Sequence, residues 1–181
     1  MSADELHELQ ESAEHAQHNP SMAPVSLTMA VLAVLVAVVS LLGHRAHTEE
    51  VVLQAKSSDQ WSYYQAKNIR EHEDDLFSGM AAMINSNDAA AVTKFREKYS
   101  LEAERYKHEK EDIQQEARRL EAEVATERNR ADRYDLAEVF LEIGLVITSI
   151  TLLSSKRTFW YIGLVLSLIG IAVAITGAIV H

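Results

Sequence analysis

The chain has no cysteine, two prolines and six glycines. Without cysteine there can be no disulfide, no thiolate-held metal and no cysteine nucleophile. Both prolines, Pro20 and Pro24, precede the first apolar run, and residues 44–135 contain no proline and one glycine, Gly79. So few breakers in a stretch rich in Ala, Glu, Lys, Arg and Gln is the composition of long helices. Residues 1–24 contain no Lys or Arg, so the apolar run that follows lacks the basic leader of a secretory signal and is expected to stay in the protein. There is no glycine-rich phosphate loop, no G-x-S-x-G, no H-E-x-x-H and no Glu-x-x-His pair of the di-iron bundles. With no catalytic constellation, neither an enzyme nor a cofactor is expected.

Three long apolar stretches dominate what is present. Val25 to Leu42 and Phe159 to Val180 carry no charge, and Leu136 to Leu153 is interrupted only by Glu138 and Glu142. A helix rises about 1.5 Å per residue, so roughly 20 apolar residues cross a bilayer core. The polar remainder could not bury three such helices as a soluble core. The organisation expected is an acidic tail (1–24), a first span (25–43), a helical segment (44–135), a second span (136–153), a short basic loop (154–158) and a third span (159–180).

The net charge of −10 is spread over mixed signs, with 15 basic and 20 acidic residues in 44–135. No basic face suited to nucleic acid stands out. The one breaker there is Ile84-Asn85-Ser86-Asn87-Asp88, where Ser86 or Asn87 predicts an N-cap for a helix starting at Asp88. Two helices follow, about 44–84 and 88–135. The second is spaced by threes and fours, alternating from Tyr99 onward, from Val92 through Phe95, Tyr99, Ala103, Tyr106, Lys110, Ile113, Ala117, Leu120, Val124, Glu127 and Ala131 to Tyr134. That heptad predicts coiled-coil-like packing. The fold class expected is therefore an all-α membrane protein with three transmembrane helices and a long antiparallel helical hairpin between the first and second.

Within the hairpin, Asp59 to Lys67 reads DQWSYYQAK, three aromatics on an otherwise polar helix. They cover about 160° of helix surface, Trp61 and Tyr64 about 60° apart and Tyr63 on another side, and cannot all face one partner. Trp61 and Tyr64 are expected to contact a second copy or another protein, and Tyr63 to close the hairpin against Ile113 or Ala117. In the spans, small residues repeat at Ser26, Ala30, Ala33, Ala37 and Ser40, at Gly144, Thr148, Thr151 and Ser155, and at Gly163, Ser167, Gly170, Ala174 and Gly177. Such seams predict close helix packing in lipid.

Two groups of ionisable residues remain. His44, Arg45, His47, Glu138, Glu142 and His181 fall at one membrane interface. They form either a structural ion-pair cluster or a proton- or ion-responsive site. His7, Glu11, His15 and His18 follow helical spacing in the acidic tail and could hold a divalent metal.

The stretches SLTMAVLAVLVAVVSLLGHRAH and DQWSYYQAKNIR, with the third span after SSKRTFW, resemble a bacterial membrane family catalogued as domain of unknown function 4337. The resemblance covers the chain from about Ala23 onward. It implies a bacterial, three-span envelope protein and carries no activity. Basic residues near the span ends number seven on the hairpin side (Arg45, Lys56, Arg118, Arg119, Arg128, Arg130, Arg133) against Lys156 and Arg157 opposite, which puts the hairpin in the cytoplasm of an inner-membrane protein. The function expected is a non-enzymatic oligomeric scaffold or accessory subunit. Its partners would be lipid, copies of itself or another membrane complex. The alternative is a transporter or channel component using Glu138 and Glu142.

Overall fold

The computed structural model of the chain describes residues 22–81, 83 and 88–179. Among them lie three helices, α1 (Ala23–Ala81), α2 (Ala89–Ser154) and α3 (Arg157–Ile179), and no strand. Each contains a window long and apolar enough to cross a membrane. The chain is an all-α, multi-pass membrane protein. Because no proline falls inside their interiors, α1 and α2 continue past their apolar windows without a break.

Two helix ends differ from expectation. The cap of α2 is Asp88, whose Oδ1 accepts the Ala91 N–H at 3.0 Å. Ser86 and Asn87 lie outside the described residues. Asp88 stands immediately before the first helical residue, where its carboxylate reaches the third free N–H. At the other end Ser155 takes a left-handed φ of 54°, and its N–H bonds the Thr151 carbonyl at 2.9 Å. That conformation stops α2 at Ser154 and leaves only Ser155 and Lys156 as the connection. The third helix thus begins at Arg157, ahead of the expected Phe159.

The chain divides into two compact units, one of residues up to Glu49 with those from Ala125 onward, the other Glu50–Val124. In the first, the membrane unit, Leu32, Val36 and Val39 of α1 pack with Tyr134, Ala137 and Leu141 of α2. Helices α2 and α3 approach closely. A Cβ placed at Gly144 would stand 2.9 Å from the Gly163 carbonyl oxygen, and one at Gly163 would stand 2.7 Å from that of Gly144. Only glycine fits that crossing. Thr148 and Ser167 flank it, each hydroxyl donating to a carbonyl of its own helix at 2.7 Å.

The small-residue seams of α2 and α3 therefore meet each other. The seam of α1 is used differently: Ala30 and Ala37 are exposed, and Val25, Met29, Leu32, Ala33, Val36 and Val39 turn inward. Bulky side chains gain more dispersion contact than alanine wherever the helix spacing admits them.

In the second unit, the hairpin, the heptad of α2 places Ala103, Ala117, Leu120 and Val124 in the interior, and Leu53 of α1 joins Leu120 and Val124. The facing seam of α1 runs through Ser57, Gln60, Tyr64, Lys67, Glu71, Asp74 and Ser78, all buried or half-buried. Its spacing alternates three and four, yet the residues are almost all polar.

Candidate functional site

The polar seam is held by cross-helix pairs. Lys110 donates to Glu71 and, at 3.0 Å, to Asn68 Oδ1. Glu71 is only 8 % exposed, so this ammonium–carboxylate contact lies in a mostly dry place and fixes helix register more than it adds stability. One turn closer to Trp61, Lys67 donates to Glu109. That hydrogen bond raises the Lys67 amine above its usual range and lowers the Glu109 carboxyl below its own. Lys67 Nζ also sits 4.8 Å from the Tyr106 ring centre and 5.4 Å from that of Tyr63.

The aromatic cluster is arranged otherwise than its spacing suggests. Trp61 Nε1 donates to Glu121 Oε1 across the hairpin at 2.8 Å, and the Trp61 and Tyr64 rings meet edge to face at 5.5 Å. Both are half-buried. Tyr63, expected to close the hairpin, is instead 51 % exposed and lines a shallow groove with Leu120 and Arg119. Ala117 is fully buried and Ile113 partly so. Within the cluster, Trp61 makes a side-chain hydrogen bond across the hairpin, its N–H donating to the Glu121 carboxylate.

Toward the end of α1 the ordinary polarity inverts. Glu71, Asp74 and Ser78 face inward while Ile69, Leu76, Phe77 and Met80 are exposed. Leu76 is 66 % and Met80 57 % accessible. Phe77 stacks on Tyr99 at 5.2 Å, and Tyr99 on the exposed Phe95 at 4.5 Å. Exposed apolar residues are thus gathered on one side of a largely charged helix pair. The signal was present in the sequence as a second heptad, concealed because its inward positions are polar.

Five of the six ionisable groups expected at one membrane interface lie among the described residues. His47 pairs with Asp135 at 3.0 Å, a partner that sequence reasoning missed by assigning Asp135 to the hairpin's end. His44 Nδ1 lies 3.0 Å from the Ser40 carbonyl of its own helix. Arg45 is exposed, Glu138 is half-buried and Glu142 is exposed, and none of the three forms an ion pair among the described residues. His181 and the tail residues His7, Glu11, His15 and His18 lie outside the described residues. Among the described residues no cluster of three or more metal-binding side chains occurs.

No curated protein and no solved structure matches the chain. One family profile, Domain of unknown function (DUF4337), matches residues 21–180. The three apolar helices and the stretches that carry the resemblance all fall inside that range, and the chain belongs to this family.

Proposed function

We propose that the protein is a non-enzymatic membrane scaffold or accessory subunit that assembles with copies of itself and with a partner through its helical hairpin. The observation that carries this reading is the inverted end of α1, with polar residues inside and Leu76, Phe77 and Met80 outside. Solvated charged side chains would serve a hairpin that touched nothing. A methionine and aromatic surface adapts to a partner and supplies central anchors. Because Trp61 and Tyr64 are engaged within the hairpin, the contact surface shifts from them to this end.

The test is the triple variant Leu76→Ser, Phe77→Ser and Met80→Ser in the full chain, cross-linked in membranes and captured after mild solubilisation. Each anchor is worth roughly 2 kcal/mol, or about thirtyfold in affinity. Captured partners should therefore disappear while helix content holds. A triple variant that still brings down the wild-type set at wild-type yield would refute the reading. A conducting role for Glu138 and Glu142 is less well supported, since Glu142 lies on the outer surface of its unit.

The basic-residue bias further supports a bacterial inner-membrane protein with a cytoplasmic hairpin. A reporter fused after His181, active only in the cytoplasm, should be active. A signal from the periplasmic form alone would reverse the orientation.

A further inference from the structure

Arg45 and Glu142 are charges of the membrane unit that, like Glu138, form no ion pair among the described residues, and both are exposed. A side chain at Gly43 would touch the Tyr134 Cβ at 3.5 Å and the Asp135 carboxylate at 3.3 Å, so Gly43 faces α2. Arg45 follows two residues later, about 200° around the helix, and points away from α2. Glu142 is likewise about 200° from Gly144, which faces α3. It shares a stripe with Asp135, seven residues earlier. The His47–Asp135 contact sets the register, and seven residues back along α1 from His47 stands Ser40, opposite Glu142. There Ala37 is exposed and Ser40 half-buried, so small side chains leave Glu142 uncovered in a low part of the surface.

On the far side of α1, Leu27, Val31, Val34, Val38 and Leu41 alternate spacings of four and three up to Arg45, and every one is exposed. The protein thus carries a bulky ridge ending in a cation and, on another face, a low groove holding an anion. A carboxylate facing hydrocarbon about 9 Å inside the second span costs several kcal/mol unless paired. Side chains tilt toward the N-terminus of their own helix. Arg45 therefore leans into the membrane and Glu142 leans out toward the same boundary. With α1 and α2 antiparallel at the His47–Asp135 contact, the two lie about five residues apart in depth, some 7 Å, within reach of the two side chains together.

We propose that copies of this chain associate side by side in the membrane, with Arg45 and the α1 ridge of one copy seated against Glu142 in the α1–α2 groove of the next. This rests on the self-assembly proposed above and names its membrane face. Ridge and groove are different surfaces of one protomer, so the contact is head-to-tail and closes, if it closes, into a ring.

The test uses the full chain in lipid nanodiscs, in two differently tagged forms, with oligomer mass and cross-capture as readouts. Arg45→Glu alone and Glu142→Arg alone should each lower the oligomeric fraction at least about tenfold. Co-expression of the two should restore it, each tag capturing the other. The introduced carboxylate of one chain then meets the introduced guanidinium of its neighbour, and the remaining Arg45 meets the remaining Glu142. If Glu142→Arg fails to insert, Glu142→Gln and Arg45→Gln serve, each reducing the oligomer without that rescue. Single variants at wild-type mass overturn the proposal. So does rescue by the double variant in one chain without rescue between chains, which would place the pair within a protomer. A monomeric wild type would instead sink the self-assembly reading itself. Loss of captured partners in the Leu76, Phe77 and Met80 variant, with oligomer mass unchanged, leaves this interface standing.

Discussion

Gly163→Val is expected to separate α2 from α3. The added carbons would enter a space where even a single Cβ stands 2.7 Å from the Gly144 carbonyl and overlaps the Thr148 hydroxyl. The hydroxyl can rotate aside, but a backbone carbonyl cannot, so the helices must move apart. Over-packing of this kind costs about 1–3 kcal/mol, with more where backbone blocks relaxation. Parting the helices also removes the dispersion contacts that stand in for hydrophobic drive inside lipid. A reversible unfolding titration in mixed micelles should show the loss, and Gly144→Val should match it from the other side. Gly79→Ala is the control, since nothing lies within 4 Å of a Cβ there. It should leave stability unchanged or raise it by up to about 1 kcal/mol through helix propensity. Equal effects at Gly163 and Gly79 would mean that the crossing is not close-packed.

Lys110→Ala is expected to be the most damaging single change in the hairpin. It strands Glu71, buried at 8 % exposure, without its cation. Removing one partner of a buried pair costs roughly 3–5 kcal/mol, and the residual access of Lys110 places this case at about 3. Lys110→Met combined with Glu71→Leu should recover most of that loss or exceed the parent, because the desolvation cost goes with the pair. The recovered hairpin should slip in register more readily, since a polar contact at a heptad position specifies alignment. Thermal melting by circular dichroism gives the stabilities, and cross-linking between α1 and α2 gives the register. A double variant no more stable than Lys110→Ala would show that the pair contributes net stability.

These two sites show what could be read in advance. The three spans, the two long helices and the heptad of α2 were legible because each is written in apolar residues or in the absence of breakers. The partner heptad of α1 was not, because its inward positions are Ser57, Gln60, Lys67, Glu71, Asp74 and Ser78. Hydrophobic periodicity is silent where a helix buries polar groups. For the same reason periodicity does not show that Lys110, a polar member of the α2 heptad, meets Glu71 and Asn68.

In the membrane unit the small residues of α2 and α3 marked the crossing correctly, but Ala30 and Ala37 of α1 point outward. A helix that is apolar all round does not declare which face turns inward. His47 was placed in the interfacial group while its partner, Asp135, was counted with the hairpin. The hydrogen bond from Trp61 to Glu121 was not legible, because spacing shows which side chains share a face, not which of them finds a hydrogen-bond acceptor.

The chain's two tryptophans fall one in each compact unit. In the hairpin, Trp61 donates to a carboxylate on α2. In the membrane unit, Trp160 donates to the Thr28 hydroxyl at 3.3 Å. The protein therefore carries a separate intrinsic fluorophore for each part. Bromine-labelled lipid will quench one and iodide the other, and replacing either indole with phenylalanine isolates the emission of its counterpart. Superimposable denaturation curves from the two single-fluorophore forms would report one cooperative block. Displaced curves would report two, each with its own midpoint, in unlabelled protein.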